Sequence, residues 1–426
     1  MFNHPKMKYV YLGVDSHKDT HCIVAINCFY EKLGTITVRN SPKELENLLT
    51  EVKKFKLKGT SLAFGLEDVS EYGRSLAVFL KEKKFIVKHV NSYLVAHERE
   101  SLNIVHKTDE FDAECAARVL LNRFDTLPNA DTQDKYWILK TLVTHREAIV
   151  KNNIALKNRI HSIISSHYPS YSKFFCNIDT LGALAFYEKY PSPLKLKGVT
   201  VEELDELLFN VSGKSNPKDK GKKILEYVEA DGYNEIEYQD IRDMAVKSTI
   251  TLLKTNIKEL AEIDNKLKEL LQHFDYNLTS IRGVSTVLAA TIISEIGNIS
   301  KFSSPAKLAR YSGVAPTTYA SGKSELQFAN RRGNKSLHHA FHTLAVGLIA
   351  TPGNMIRNKY FYDYFHRKVS EGKTKRQALN CLQRRLVSIV WAMMTHKTEY
   401  NNPDLISIDD FNGDNAETPI ESTISQ

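Results

Sequence analysis

Three apolar runs stand close together near the start of this chain: Tyr9 to Val14, Thr20 to Asn27 and Leu33 to Val38. The turns between them are short, and strands joined by short turns pair antiparallel. The rhythm then changes. Ser41 reads as the N-cap of a helix over Pro42 to Lys54, with Glu44 at the capping-box position. Ser61 to Leu66 reads as a buried strand, Gly73 to Lys84 as a helix, Phe85 to Val90 as a strand and Thr108 to Leu121 as a strongly patterned helix. A meander followed by alternating helices and strands predicts an α/β domain over about residues 8–125.

That layout fits a ribonuclease H-like (RuvC-like) domain and, equally, the related actin-like ATPase layout. Beyond it the pattern is helical. Leu142, Ile149, Leu156 and Ile163 recur every seven residues, and Leu253, Leu260 and Leu267, with Ile263 and Leu270 beside them, repeat the spacing. Sustained heptads predict long helices packed as a coiled coil, and an ordinary two-helix hairpin satisfies them too. Between the runs, Ser212 to Lys223 has the Lys-, Gly- and Pro-rich composition of a flexible or nucleic-acid-facing insertion. From Tyr276 to about Tyr400 the chain reads as compact and mostly helical, and Leu386 to Met394 suits a buried helix. Thr279 to Ile296 has the form helix, turn Arg282-Gly283-Val284, helix; such a turn can bind phosphate or simply pack. The expected organisation is α/β plus all-α: an α/β domain of ribonuclease H-like or actin-like layout over 8–125, a helical region over 130–275 built as a coiled coil or a hairpin, a mostly helical domain over 276–400, and an acidic tail over 401–426 expected to be disordered.

Charge narrows the partners. The chain carries +8, and Asp404, Asp409, Asp410, Asp414, Glu417 and Glu421 are gathered in the tail, so the body is more basic than the total. A basic body favours a polyanion, although a merely soluble basic protein has the same sum. No run approaches the ~18 apolar residues of a membrane span, and Met1 to Tyr9 lacks an apolar signal region, so a cytoplasmic protein without membrane contact is expected. Cys22, Cys28, Cys115, Cys176 and Cys381 form no C-x-x-C pair, which argues against a zinc cluster or a disulfide framework.

Asp15 directly follows the first apolar strand, and Glu67 directly follows the strand Ser61 to Leu66. Asp109 and Asp112 lie three apart at a helix start, on one face. The helix dipole alone would explain either of that pair. Taken together, acids at two strand ends and on one following helix would meet at one end of a sheet. Crowded carboxylates repel, a divalent cation relieves them, and hard oxygen donors favour Mg²⁺ or Mn²⁺. Such an ion stabilises charge on a transferring phosphoryl group. Lys18 and Lys107 flank the site and suit phosphate contacts, whereas Asp68, Glu71 and Glu110 read as solvated surface.

In their context these acids form three blocks: Gly-Val-Asp-Ser-His-Lys-Asp-Thr-His, Gly-Leu-Glu-Asp-Val-Ser-Glu-Tyr-Gly-Arg and Lys-Thr-Asp-Glu-Phe-Asp-Ala. The blocks resemble the Asp-Glu-Asp-Asp pattern of the DEDD transposases, the insertion-sequence one-ten group, and of their relatives the Piv DNA invertases. The resemblance makes Asp15, Glu67, Asp109 and Asp112 the catalytic, metal-binding tetrad. A second region, Leu308 to Pro316 leading into Ser321-Gly322-Lys323-Ser324 and Asn330-Arg331-Arg332-Gly333-Asn334-Lys335, resembles the family's C-terminal transposase domain. It implies a loop nucleophile at Ser321, with Ser324 as the fallback, and phosphate contacts from Lys323, Arg331, Arg332 and Lys335. A serine attacking DNA forms a phosphoserine link that stores the broken bond's energy for rejoining. Tyr362, Tyr364, Phe365, Arg367 and Lys368 interleave aromatic with basic residues, as nucleic-acid surfaces and packed helix pairs both do.

The resemblance covers about residues 8 to 395. It implies a prokaryotic, nucleoid-associated transposase acting on donor and target double-stranded DNA. It further implies a homodimer or homotetramer whose catalytic halves meet across subunits, and guidance by a structured noncoding bridge RNA. The rival readings are a metal-dependent RuvC-like nuclease with the serine incidental, and a site-specific DNA invertase. An actin-like ATPase would need Gly-rich phosphate loops that the sequence lacks. A non-enzymatic nucleic-acid-binding coiled coil leaves the ordered tetrad unexplained.

Overall fold

A computed structural model of the chain describes residues 4–68, 71–102, 108–130, 133–212, 219–233, 236–321, 324–328, 330 and 332–401; for 212, 318–321, 324–327 and 354 it describes the backbone alone. Lys107, Lys323, Arg331 and the acidic tail lie outside the described residues. Internal contacts divide the chain into two units, Met1–Ile138 with Ile292–Gln426, and Leu139–Thr291. The first and last parts of the chain thus belong to one unit.

In that unit β1 (Tyr9–Ser16), β2 (Thr20–Ile26) and β3 (Lys32–Arg39) form the expected antiparallel meander. Helix α1 (Pro42–Lys53) carries the chain to β4 (Ser61–Leu66), and α2 (Arg74–Glu82) carries it to β5 (Ile86–His89). These crossovers make β4 parallel to β1 and β5 parallel to β4, in the order β3-β2-β1-β4-β5. Ser41 does precede α1, but its side chain makes no capping bond, so the expected capping box with Glu44 does not form.

Strand alternation sorts the core onto two faces. Val10, Leu12 and Val14 pack with Leu45 and Leu48 of α1 and Leu76 and Leu80 of α2. Tyr11, Val24 and Ile26 pack on the opposite face with Val95 of α3 (Ser92–Ser101) and Ala113, Ala116 and Leu120 of α4 (Asp109–Arg123). Gly13 is where α4 meets the sheet. A β carbon there would lie 2.0 Å from the Ala113 carbonyl oxygen and 2.2 Å from the Ala117 nitrogen. Glycine at this strand position is what lets the helix backbone rest on β1.

The second unit is helical. Its long helices are α5 (Asp134–His167), which begins in the first unit, and α9 (Gln239–Leu271). Between them come α6 (Leu181–Lys189), α7 (Val201–Ser212) and α8 (Lys220–Asp231). The helices α5 and α9 run antiparallel. Arg146 grips Asp264 through two bonds of 2.5 and 3.2 Å, and Asn256 donates to Asn153 at 2.7 Å. The buried line on α5 runs through Leu139, Val143, Ile149, Leu156, Ile160 and Ile164, so Leu142 and Ile163 of the heptad reading sit on its half-buried flank. Phe186, Leu204, Leu208, Ile224 and Val228 of α6, α7 and α8 close over Ile160, Val246 and Ile250. Part of the Lys- and Gly-rich stretch is therefore helix α8, while 213–218 lie outside the described residues. A single 3-10 turn, Leu278–Ser280, precedes α10 (Thr286–Ile296), so the expected helix–turn–helix has no full first helix.

The chain then adds α11 (Pro305–Tyr311), a hairpin of β6 (Thr317–Ser321) and β7 (Ser324–Phe328), and the helices α12 (Lys335–Ile349), α13 (Lys359–Ser370) and α14 (Lys375–His396). Phe341 and Leu344 of α12 and Leu382, Leu386 and Val390 of α14 are fully buried. No helix among the described residues is long and apolar enough to cross a membrane.

Candidate metal centre and serine hairpin

Strands β1 and β4 run parallel with Val14 opposite Leu66. Asp15, which stays within β1 rather than following it, and Glu67, the residue after β4, therefore lie at one edge of the sheet on neighbouring strands, about 4.8 Å apart along the hydrogen-bonding direction. Thr108 caps α4 by accepting from the Phe111 nitrogen at 3.2 Å, which sets Asp109 and Asp112 in the first turn. The Gly13 contact holds that turn against β1. His17 closes the group: its Nε2 is 3.2 Å from Asp15 Oδ2 and 3.3 Å from Asp109 Oδ1. Asp112 is buried and paired with Arg99 of α3.

The Asp15 carboxyl feels both its burial and the charges around it. Burial raises its carboxyl pKa above the usual range, His17 pulls it down, and Glu67, Asp109 and Asp112 push it up again. Asp15, His17 and Asp109 each offer a donor atom, all within 4.8 Å of one another. Two carboxylates and an imidazole, with burial disfavouring the charge of Asp15, are a fit donor set for a divalent cation.

Sequence reasoning missed two members of this cluster. His17 stood inside the strand-end motif without a role, although a residue two past Asp15 on extended chain points to the same side. Arg99 sits on α3, a helix with no strong apolar stripe. Two other acids do more than expected. Asp68 accepts from the Glu71 nitrogen at 2.9 Å and the Gly73 nitrogen at 3.3 Å, shaping the turn before α2. Glu110 is exposed but tied to β3 through Lys32 and Thr35. Lys18 is exposed, next along the chain from His17.

At the other candidate site, Ser321 and Ser324 are backbone partners at the closed end of the β6–β7 hairpin. Their side chains lie outside what is described, so the expected loop serine is placed only as a strand end. The Arg-Gly-Asn motif that follows the hairpin acts first as a clasp. The Asn334 nitrogen donates to the Tyr311 carbonyl at 2.7 Å, and a β carbon on Gly333 would lie 2.4 Å from the Gly313 α carbon. The Asn334 side chain then caps α12, accepting from the Leu337 nitrogen at 2.8 Å and donating to Glu295 at 2.7 Å. Lys335 is exposed at the first residue of α12. Arg332 lies 5.2 Å over the Tyr93 ring of α3 and donates to its hydroxyl at 3.0 Å. In α13, Phe361 and Phe365 are buried, and Arg367 and Lys368 lie over Tyr364 of the same helix, with Arg367 exposed.

Residues 12–169 match a family model for DEDD-type transposases, described as "Transposase", and residues 275–360 match one described as "Transposase IS116/IS110/IS902 family". Together they span more than half of the chain and include the acidic cluster and the hairpin. The protein is therefore a transposase, an enzyme that recombines DNA. It belongs to the IS110/IS116 family of insertion-sequence transposases.

It is 24% identical over 406 residues to the IS116 insertion-element 44.8 kDa protein of Streptomyces clavuligerus, covering 91% of this chain and 95% of that one. To the IS110 insertion-element 43.6 kDa protein of Streptomyces coelicolor it is 26% identical over 309 residues, 70% of this chain and 72% of the relative. A pilin gene-inverting protein of Moraxella bovis is 28% identical over 153 residues, 33% of this chain and 45% of that protein. A DEDD-type domain calls for a divalent metal, and the Asp15, His17 and Asp109 group can supply donors for one.

Proposed function

We propose that this transposase cuts and rejoins DNA through a metal-assisted phosphoserine intermediate. Asp15, Glu67, Asp109 and Asp112 hold Mg²⁺ or Mn²⁺, and Ser321 is the nucleophile, with Ser324 the alternative. One observation carries most of the weight: Asp15 and Glu67 leave neighbouring parallel strands at one edge, where the first turn of α4 adds Asp109 and Asp112. An antiparallel β1–β3 meander joined to parallel β4 and β5 supports a RuvC-like assignment for this region.

When bound, the cation supplies charge neutralisation at the phosphate and favours the ionised form of an attacking hydroxyl. The serine oxygen forms a bond to the scissile phosphorus and gives up its proton to solvent. The bond from phosphorus to the leaving deoxyribose oxygen breaks, and that oxygen takes a proton. Rejoining reverses the exchange: a DNA hydroxyl attacks the phosphoserine and the serine hydroxyl is restored. Lys18, Arg332 and Lys335, with Lys107, Lys323 and Arg331, provide backbone contacts to donor and target duplexes. The α5–α9 pair serves as the coiled coil of a homodimer or homotetramer, and a structured noncoding RNA selects the sequences, as the family likeness implies. A second reading, site-specific inversion, is favoured by the match to the gene-inverting protein of Moraxella bovis.

The test is a supercoiled plasmid carrying paired recombination sites, followed by denaturing gels for a protein–DNA adduct. Wild type should give both recombinant and adduct, and Ser321→Ala and Asp15→Asn should give neither. Loss of the adduct in Ser324→Ala instead would move the nucleophile to Ser324. Undiminished cleavage by both serine variants would leave a metal-dependent nuclease. Product topology separates inversion from transposition.

A further inference from the structure

We infer that His17 is itself a ligand of the cation and tilts the centre toward a nitrogen-tolerant first-row ion, Mn²⁺ or Co²⁺, over Mg²⁺; this rests on the metal-binding reading above. The local chain fixes the residue. The His17 nitrogen donates to the Thr20 carbonyl at 2.9 Å in the turn from β1 to β2. Its ring nitrogen Nε2 then meets two carboxylate oxygens at once, 3.2 Å from Asp15 and 3.3 Å from Asp109. A neutral ring nitrogen carries either one proton or one lone pair. A single proton cannot serve two carboxylates fully, and a lone pair repels both.

Three donors drawn together in this way suit a shared cation. In a six-coordinate ion with bonds of about 2.1 Å, adjacent donors lie about 3.0 Å apart, a few tenths of an ångström from the separations seen. Asp112 is already paired with Arg99, so Asp15, His17 and Asp109 are the donors that stand gathered. The side chains of His17 and Asp109 are 47% and 62% exposed, which leaves room for water to complete the shell. Carboxylate oxygens accept Mg²⁺ and Mn²⁺ alike, whereas imidazole favours the transition ions and Mg²⁺ keeps to oxygen. The nitrogen is therefore the element that discriminates between them.

Pulsed electron paramagnetic resonance of the full-length protein with substoichiometric Mn²⁺ reads the ligand directly. Nitrogen modulation from a coordinated imidazole should appear in wild type and vanish in His17→Gln. By calorimetry, His17→Gln should lose about tenfold in Mn²⁺ affinity, while Mg²⁺ affinity stays within about twofold. Mn²⁺ bound to wild type without nitrogen modulation, or modulation that persists in His17→Gln, overturns the role of His17 and leaves the carboxylate centre standing. A wild type that binds no Mn²⁺, or Asp15→Asn that binds it unchanged, overturns the centre and His17 with it.

Discussion

Replacing Gly13 by alanine tests the link between the fold and the centre. The added methyl would lie 2.0 Å from the Ala113 carbonyl oxygen and 2.2 Å from the Ala117 nitrogen, both backbone atoms with no rotamer to yield. Restoring ordinary contact requires α4 to lift from β1 by about 1.3 Å in a close-packed interior. That helix buries Ala113, Cys115, Ala116, Ala117, Val119, Leu120 and Leu121, so the shift loosens a whole face of the sheet. Overpacking of this kind costs about 3 kcal/mol, which in a domain of this order lowers the melting temperature by about 6–12 °C. Asp109 and Asp112 ride on the same helix, and a displacement of about 1 Å at reacting groups costs about a hundredfold in rate. Thermal denaturation and plasmid recombination measure the two effects separately. Gly59→Ala is the control: Gly59 has φ +79° but nothing within 4 Å. Alanine there should cost about 1 kcal/mol and leave recombination intact. The reasoning fails if Gly13→Ala melts within about 3 °C of wild type, or if it recombines at the wild-type rate where both are folded.

Other consequences can be measured on the same protein. Asn334→Ala removes the α12 cap and should lower unfolding free energy by about 1–2 kcal/mol in denaturant titration. Arg99→Ala removes the guanidinium partner of buried Asp112 and should destabilise the metal-free protein by about 2–3 kcal/mol. Mn²⁺ should then raise the melting temperature of that variant more than that of wild type. Asn153→Leu with Asn256→Leu, replacing a part-buried polar pair by apolar contact, should raise the melting transition of the helical unit, whereas Asn153→Leu alone should lower it. Chelation should abolish recombination and adduct together, with Mn²⁺ restoring both; an adduct that forms under chelation would separate the serine step from the metal.

Local order decided what could be read from the sequence. The first three strands follow from apolar runs between short turns and the last two from apolar runs between helices, and the ends of β4 stand where the pattern puts them, at Ser61 and Leu66. Asp15 and Glu67 were legible as a pair because strand ends are a local property. The convergence of α4 on them had a signal in Gly13, since a glycine inside a strand marks close backbone approach. Helix α3 had none of comparable strength. It buries only Val95 and starts on the Asn91 side chain, which accepts from the Tyr93 nitrogen at 2.8 Å. Without α3, neither the Arg99 partner of Asp112 nor the Tyr93 platform of Arg332 could be foreseen, because both are long-range contacts. The β6–β7 hairpin was likewise hidden in a segment whose composition reads as helical. Ser321 was singled out by family likeness alone, since a serine before glycine is ordinary turn chemistry.

The two sites share α3, and the magnitudes decide whether they also share a switch. At one end of this short helix Tyr93 carries Arg332 from the serine region, and toward the other Arg99 holds Asp112 of the acidic cluster. A phosphate that drew Arg332 away would break an exposed cation–π contact worth about 1 kcal/mol and a hydrogen bond from a charged donor worth about 1.5 kcal/mol more. The Arg99–Asp112 pair, with its carboxylate buried, is worth about 3 kcal/mol against simple loss of one partner. Releasing Tyr93 can therefore shift the position of α3 by a factor of about seventy at most, short of what unseating Arg99 requires. On the proposed roles, docking of DNA at Arg332 would then favour, without forcing, loading of a cation at Asp112. Strong coupling between them would have to come from the cation itself, whose charge competes with the guanidinium for the same buried carboxylate.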